Sequence, residues 1–172
     1  MTQHNIIIFT DLDGCLLDHN DYSFTSAKPL LEKLKQYDIP LIINSSKTQL
    51  ELEIIQKKIG IDTPYIIENG AAVIFNFTEN TGHFNIDKNS LGQFGSNRIK
   101  KFALLREELL FIANNIKEQY KFKYKGFNDM TLSQISEFTH LSREDAFAAS
   151  QRTFSEPIIW QDSQSRLRKF KH

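Results

Sequence analysis

The sequence predicts an α/β fold built on a parallel sheet, and three observations predict it. An apolar run, Ile6-Ile7-Ile8-Phe9, leads into Thr10-Asp11-Leu12-Asp13-Gly14. A second run, Pro40-Leu41-Ile42-Ile43-Asn44, leads into Ser45-Ser46-Lys47-Thr48. Segments with helical spacing lie between and after them, and strand, helix, strand, helix calls for crossovers and a parallel sheet. In open sheets of this kind ligands bind beyond the carboxyl ends of the strands, where Asp11, Asp13 and Ser45 all fall.

The elements follow in order. After the first strand, Thr25 or Ser26 is placed to cap a helix with Pro29 in its first turn and Leu30, Leu31, Leu34 and Tyr37 on one apolar side. The second strand gives way to a helix for which Thr48 and Glu51 have capping-box spacing; its Leu52, Ile55 and Ile59 side closes at Gly60. Tyr65 to Ile67 and Ala72 to Phe75 read as strands joined at Glu68-Asn69-Gly70-Ala71, where Asn-Gly is a hairpin signal. The stretch from Asn76 to Asn97, rich in Asn, Gly, Thr and Ser, reads as hinge and loop. An amphipathic helix of Phe102, Leu105, Leu109, Ile112 and Ile116 follows. Then come a strand over residues 122–126, a short helix from Thr131, a helix from Ser142 bearing Ala146 and Phe147, a strand at Pro157-Ile158-Ile159-Trp160, and a last helix opened by Ser163 with Leu167 and Phe170 inward.

The chemistry starts with two carboxylates one residue apart. Alternate residues of a strand share a side, so Asp11 and Asp13 point the same way. Two anions that close repel unless a divalent cation or a phosphate group uses them: hard oxygen ligands suit magnesium, and a carboxylate can attack phosphorus. The plain alternative is a pair of solvated aspartates where a strand meets a turn. For Ser45, the alternative to a phosphate donor is a hydroxyl that caps the following helix.

Composition bounds the function. Twenty-one basic and twenty-one acidic residues cancel, which removes any global electrostatic case for nucleic acid or an anionic membrane. The local cluster Arg166, Arg168, Lys169 and Lys171 reads as a solvated helix face. No apolar run approaches the roughly 20 residues needed to span a bilayer, and no signal peptide is read ahead of the first strand, so a cytoplasmic location is expected. Cys15 is the single cysteine. The arginine that a cysteine phosphatase needs six residues on is replaced by Asp21, so Cys15 is expected to be a small buried residue. The five histidines are scattered without metal-site spacing, which argues against zinc.

Taken together, D-x-D-G with two leucines close behind, a hydrophobic strand ending in S-S-K-T, and Glu68-Asn69-Gly70-Ala71 after a third strand resemble the haloacid dehalogenase superfamily of phosphatases. The S-S-K-T form, with Gly126-Phe127-Asn128-Asp129-Met130 and Arg152-Thr153-Phe154-Ser155-Glu156-Pro157 further on, is similar to the mannosyl-3-phosphoglycerate phosphatase branch. The resemblance implies a Rossmann-like core with an inserted α+β cap. It implies Asp11 as the nucleophile that forms an aspartyl-phosphate, Asp13 as general acid and base, and Mg2+ as cofactor with Asp11 and Asp13 as its carboxylates. It further implies phosphate binding by Ser45, Ser46 and Lys47, and a small phosphorylated sugar acid as substrate. Those roles agree with elementary chemistry, since one carboxylate can attack phosphorus while the other protonates the leaving oxygen and then activates water. Glu68 and Asn69 face the hinge in this reading and count among the substrate-binding residues. Arg143 and Arg152 are candidates for the substrate carboxylate, because a guanidinium fork binds carboxylates bidentately; surface helix charges are the alternative.

Two motifs that the resemblance leads one to expect are missing: a separate lysine that neutralises nucleophile and phosphate, and a later G-D-x-x-N-D acidic loop. Gly126-Phe127-Asn128-Asp129 precedes the place for that lysine and falls in the cap, so it is read as a decoy. The expectation is a truncated chain, with residues 1–84 as the first half of the core, residues 85–172 as an incomplete cap, and the second half of the core absent. The Asp11 strand then becomes a sheet edge prone to self-association. Two functions stay open: an impaired magnesium-dependent phosphomonoesterase, or a catalytically inactive remnant or sugar-phosphate-binding module.

Overall fold

The computed structural model describes residues 6–18, 22–76, 84 and 87–171. The chain divides into two compact units, Met1–Phe102 and Ala103–His172.

Among the described residues the first unit holds a six-stranded sheet and two α-helices. Strands β1 (Ile8–Thr10), β2 (Leu41–Asn44) and β3 (Tyr65–Ile67) run parallel. Helices α1 (Lys28–Gln36) and α2 (Gln49–Ile59) make the crossovers that parallel pairing requires. Strands β4 (Ala72–Phe75), β5 (Gly92–Phe94) and β6 (Asn97–Lys101) continue the sheet antiparallel, in the order β1-β2-β3-β4-β6-β5. The core is made by Leu12, Ile43, Leu52, Tyr65, Ile67, Ala72 and Ile74, all fully buried, with Leu91 and Ile99 beside them.

The parallel half follows the sequence pattern closely. Thr48 Oγ1 accepts the Glu51 N–H at 3.2 Å while Glu51 Oε2 accepts the Thr48 N–H at 2.8 Å, so both halves of the capping box form. Gly60 ends the helix at φ 72°, the left-handed conformation that glycine adopts without penalty. Two expectations change. Helix α1 begins one residue beyond Ala27, which offers no side-chain cap, rather than at Thr25 or Ser26; only Leu34 of its apolar side is buried, with Leu30 and Tyr37 exposed. Strand β1 is shorter than the apolar run, while Ile6, Ile7 and Phe9 stand exposed on the sheet edge expected of it.

The antiparallel half departs from the hinge and loop expected of it. Residues 77–83, 85 and 86 of that stretch lie outside the described residues, but a short 3₁₀ turn at Lys88–Ser90, then β5 and β6, occupy the remainder. Phe94 pairs with Asn97 across Gly95-Ser96, and Gly95 has φ 59°. A two-residue Gly-Ser connection is a hairpin signal, which the density of polar residues around it hides. Because β6 pairs with β4 from Ala72–Lys101 to Phe75–Arg98, this hairpin belongs to the first unit.

A part-buried polar network fastens the sheet to α2. The Tyr65 phenol donates to Glu53 Oε1 at 3.2 Å, and the same oxygen accepts from Gln49 at 2.6 Å and from Asn97 at 3.2 Å. Gln56, also buried, donates to the Thr63 carbonyl at 2.8 Å.

The second unit holds α3 (Arg106–Tyr120), β7 (Tyr124–Gly126), α4 (Leu132–Thr139), α5 (Arg143–Ser150), β8 (Ile158–Trp160) and α6 (Gln164–Phe170). Thr131, Ser142 and Ser163 cap α4, α5 and α6 with their hydroxyls, as their positions predict. Strands β7 and β8 pair antiparallel, and Phe122, Tyr124, Trp160 and Phe170 form a cluster with ring centroids 5.4–6.3 Å apart. Arg166 departs from the solvated face expected of it. Its guanidinium lies 5.0 Å from the Phe122 ring, pairs with Asp162 at 2.6 Å, and donates to the Tyr120 and Lys121 carbonyls that end α3. The apolar side predicted for α3 and its approach is less covered than the pattern suggests, since Phe102, Leu105 and Ile112 are exposed.

Burial, and then the Glu53 carboxylate beside it, push the Tyr65 phenol far above its ordinary value of 10.0. Once the pH passes that value the unfolded chain loses this proton while the folded chain keeps it, so stability falls as pH rises. A titration of unfolding free energy should show wild type losing up to ~1.4 kcal/mol per pH unit more than Tyr65→Phe above about pH 10. Parallel curves would mean that the phenol ionises within the fold.

Candidate active site

The carboxylates are aimed by the leucines around them. Leu12 is fully buried and Leu16 and Leu17 nearly so, while Asp11 and Asp13, just beyond the end of β1, flank Leu12 and are exposed. The turn closes on itself: the Cys15 and Leu17 N–H groups donate to the Leu12 carbonyl at 3.2 and 2.8 Å, and Gly14 N–H donates to the Leu17 carbonyl at 3.0 Å. Gly14 sits at φ 75°, a left-handed position in which a side chain would be strained. Cys15 is exposed at the tip. The expected burial falls on Leu16 and Leu17 instead, because the turn directs its leucines inward and Cys15 outward.

The second loop leaves β2. Ser45 is buried, Ser46 exposed and Lys47 half-buried. Thr48 takes the helix cap, so the Ser45 hydroxyl is not needed there. Ser45 Oγ accepts the Lys47 N–H at 3.3 Å, an arrangement that occupies a lone pair and leaves the hydroxyl hydrogen to donate. Lys47 Nζ reaches back across the sheet end to Asp13 Oδ2 at 3.0 Å and lies 5.8 Å from the centre of the Tyr22 ring.

Glu68 and Asn69 act on this loop through their backbone. Glu68 N–H donates to the Lys47 carbonyl and Asn69 N–H to the Ser45 carbonyl, both at 3.0 Å. Glu68, Asn69 and Gly70 have φ of 49°, 61° and 88°. Left-handed backbone costs a residue with a side chain about 1–2 kcal/mol, and it persists where its surroundings hold it. The Glu68 side chain is 3% exposed. The hairpin role and the site role therefore coincide: the turn that joins β3 to β4 also braces the loop after β2.

Asp11, Asp13, Ser45, Lys47, Glu68 and Asn69 thus all lie at the carboxyl ends of β1, β2 and β3. Asp11 and Asp13 offer two exposed carboxylates, a set suited to magnesium, which commonly takes one or two carboxylates together with phosphate oxygens and water. Among the described residues no group of three or more His, Cys, Asp or Glu is assembled for a metal.

In the second unit the segments at 126–130 and 152–157 meet on Glu156. Its Oε2 pairs with Arg106 at 2.6 Å and its Oε1 accepts the Asn128 N–H at 2.7 Å. A Cβ on Gly126 would stand 2.4 Å from Oε1, so glycine leaves room for the carboxylate. Asp129 accepts the Gly126 N–H at 3.2 Å and pairs with Lys117 at 3.5 Å, which gives this aspartate a local structural use. Arg152 Nη1 donates to Ser155 Oγ at 2.7 Å, and Arg143 is exposed in the first turn of α5. The Arg106–Glu156 pair has no signal in the sequence, since its members are 50 residues apart.

This combination of fold and carboxylate turn belongs to a known class. Residues 8–171 match the family of haloacid dehalogenase-like hydrolases, and the chain belongs to that family. It is 45% identical over 157 residues to a glucosyl-3-phosphoglycerate/mannosyl-3-phosphoglycerate phosphatase of Persephonella marina, covering 91% of this chain and 56% of that protein. It is 32% identical over 163 residues to a protein of the same name from Methanococcoides burtonii, covering 95% and 58%. The chain therefore spans little more than half the length of these curated relatives. A phosphatase of the haloalkanoate enzyme superfamily from Bacteroides thetaiotaomicron superposes with a TM-score of 0.59 at 13% identity, over 99% of this chain and 60% of its own, which supports the fold.

The brace can be tested. Asn69→Val, β-branched and averse to left-handed backbone, should destabilise the first unit by about 1–2 kcal/mol and speed amide exchange at residues 68–69. Asn69→Gly should preserve both properties. Equal behaviour of the two variants in denaturant melts and hydrogen exchange would show that the turn does not depend on this conformation.

Proposed function

We propose that this chain carries the nucleophile and the phosphate loop of a magnesium-dependent phosphomonoesterase whose substrate is mannosyl-3-phosphoglycerate or its glucosyl counterpart. The observation that carries the reading is the meeting of the D-x-D-G turn and the S-S-K-T loop at the carboxyl ends of adjacent parallel strands, joined by the Asp13–Lys47 ion pair at 3.0 Å. The names of the two curated relatives support the substrate.

In this reading Asp11 attacks phosphorus, and the bond to the sugar-acid oxygen breaks as Asp13 supplies a proton to it. Asp13 then takes a proton from the water that hydrolyses the aspartyl-phosphate. Ser45 donates its hydroxyl hydrogen to an equatorial oxygen, where charge spreads in the transition state. Asp11 and Asp13 would hold magnesium if it binds, and the ion would supply neutralisation of the phosphate charge. Ser46 lies on the same loop. Glu68 and Asn69 set the loop's position, and Arg152 and Arg143 of the second unit, read as the cap, are assigned to the glycerate carboxylate. Among the described residues no helix is long and apolar enough to cross a membrane, which is compatible with a cytoplasmic setting.

The separate lysine and the G-D-x-x-N-D loop are not in this sequence, and loss of one preorganised electrostatic donor typically lowers a rate by about a hundred- to a thousandfold. The purified chain should therefore release phosphate from mannosyl-3-phosphoglycerate at about a hundredth or less of the rate of a relative that carries both. Asp11→Asn should abolish the remainder. Release that survives Asp11→Asn would exclude the aspartyl-phosphate route.

We propose self-association through the outer edge of β1, which pairs with no further strand among the described residues. Phe9 is 63% exposed, with Ile6 and Ile7 at 49% and 44%, and no charge or proline interrupts residues 6–9. Sedimentation should detect oligomers of wild type that Phe9→Lys disperses. A wild-type chain that remains a sharp monomer at high concentration would end this proposal.

A further inference from the structure

We infer that Lys47 is a shared counter-ion, the residue that lets the Asp13 carboxylate and a phosphate dianion occupy one site together. The inference rests on the reading of the site given above and assigns the electrostatic work within it.

Two negative groups converge on the ends of β1 and β2 when phosphate binds, and they repel each other unless a cation lies between. Lys47 Nζ already stands 3.0 Å from Asp13 Oδ2. An ammonium has three donors, and this contact engages one of them. The Tyr22 ring, 5.8 Å from Nζ, is its other neighbour among the described contacts, so donors remain for phosphate oxygens. The Lys47 backbone is fixed on both sides: its N–H goes to Ser45 Oγ at 3.3 Å and its carbonyl receives Glu68 N–H at 3.0 Å. The same residue thus ties the ammonium to the hydroxyl that donates to phosphate. Neither side chain of the pair is deeply buried, with 19% of Lys47 and 40% of Asp13 exposed, and a pair of that kind adds little to folding stability. Its placement on the D-x-D-G turn is better accounted for by what it does when a second anion arrives.

A double-mutant cycle tests this with inorganic phosphate as the probe, in metal-free buffer, followed by 31P NMR and calorimetry on the full chain. Four proteins are compared: wild type, Lys47→Met, Asp13→Asn and the double variant. When Asp13→Asn has already removed the carboxylate charge, Lys47→Met should weaken phosphate by about tenfold, the loss of one charge-assisted contact. With Asp13 intact the same change should cost about threefold to fivefold more, because the carboxylate is left unshielded. Lys47→Arg should restore binding, and Lys47→Gln repeats the neutral arm if the methionine variant folds poorly. Equal losses in both backgrounds overturn the shared role while leaving Lys47 as a simple phosphate ligand. A smaller loss with Asp13 intact than in the Asp13→Asn background overturns it in favour of a lysine that must abandon Asp13 to reach phosphate. Absence of phosphate binding from all of these chains overturns it together with the phosphate-site reading.

Discussion

Two backbone hydrogen bonds govern the first unit: those from the left-handed Glu68-Asn69 turn to the carbonyls of Lys47 and Ser45. They join three elements that parallel topology alone does not bring into register, namely the end of β2, the β3–β4 hairpin and, through the Lys47 side chain, the turn after β1. The placement of Ser45 and of the ammonium depends on them. So does the choice of residues in the turn, because asparagine and glycine tolerate left-handed backbone far better than β-branched residues do. Glu68 is the exception, a residue with no such tolerance whose carboxylate is nonetheless almost fully buried.

The second unit repeats the logic with a side chain in place of backbone. Glu156 gathers the Arg106 guanidinium, the Asn128 amide and the space that Gly126 leaves open, and the Phe127 N–H donates to the Pro157 carbonyl at 3.1 Å. Two short segments far apart in the chain become one surface. Glu156 is the more deeply covered member of this part-buried pair, so removing Arg106 would strand its charge. That explains why glycine, arginine and glutamate occur here as a mutually dependent set rather than as separate contributors.

How much of this is legible in the sequence follows from the range of each interaction. Caps at Thr48, Thr131, Ser142 and Ser163, the stop at Gly60 and the hairpin at Asn69-Gly70 are contacts within a few residues, and each lies where the local pattern places it. The carboxylate pair and the serine loop are legible because the strand–turn pattern puts them at one end of the sheet. The β5–β6 hairpin is hidden although Gly95-Ser96 announces it, because polar residues dominate the window. Burial misleads at Cys15, Leu30 and Tyr37, since apolar character states a preference for the interior and not whether any element arrives to cover the site. The Arg106–Glu156 and Lys47–Asp13 pairs need tertiary folding to exist and have no local signature.

The position of β1 at the end of the order β1-β2-β3-β4-β6-β5 gives the site an uneven mechanical footing. Segments of a protein open with free energies that range from near zero to that of global unfolding, and a three-residue edge strand bonded along one side belongs to the low end. The turn with Asp11 and Asp13 hangs from this strand, whereas Ser45 and Lys47 hang from β2, which is paired on both sides. The turn with Asp11 and Asp13 can therefore separate from the Ser45–Lys47 loop, exposing Leu12, while the pairing of β2 to β6 remains intact. A protease would therefore find the first strand before β2 to β6 opened.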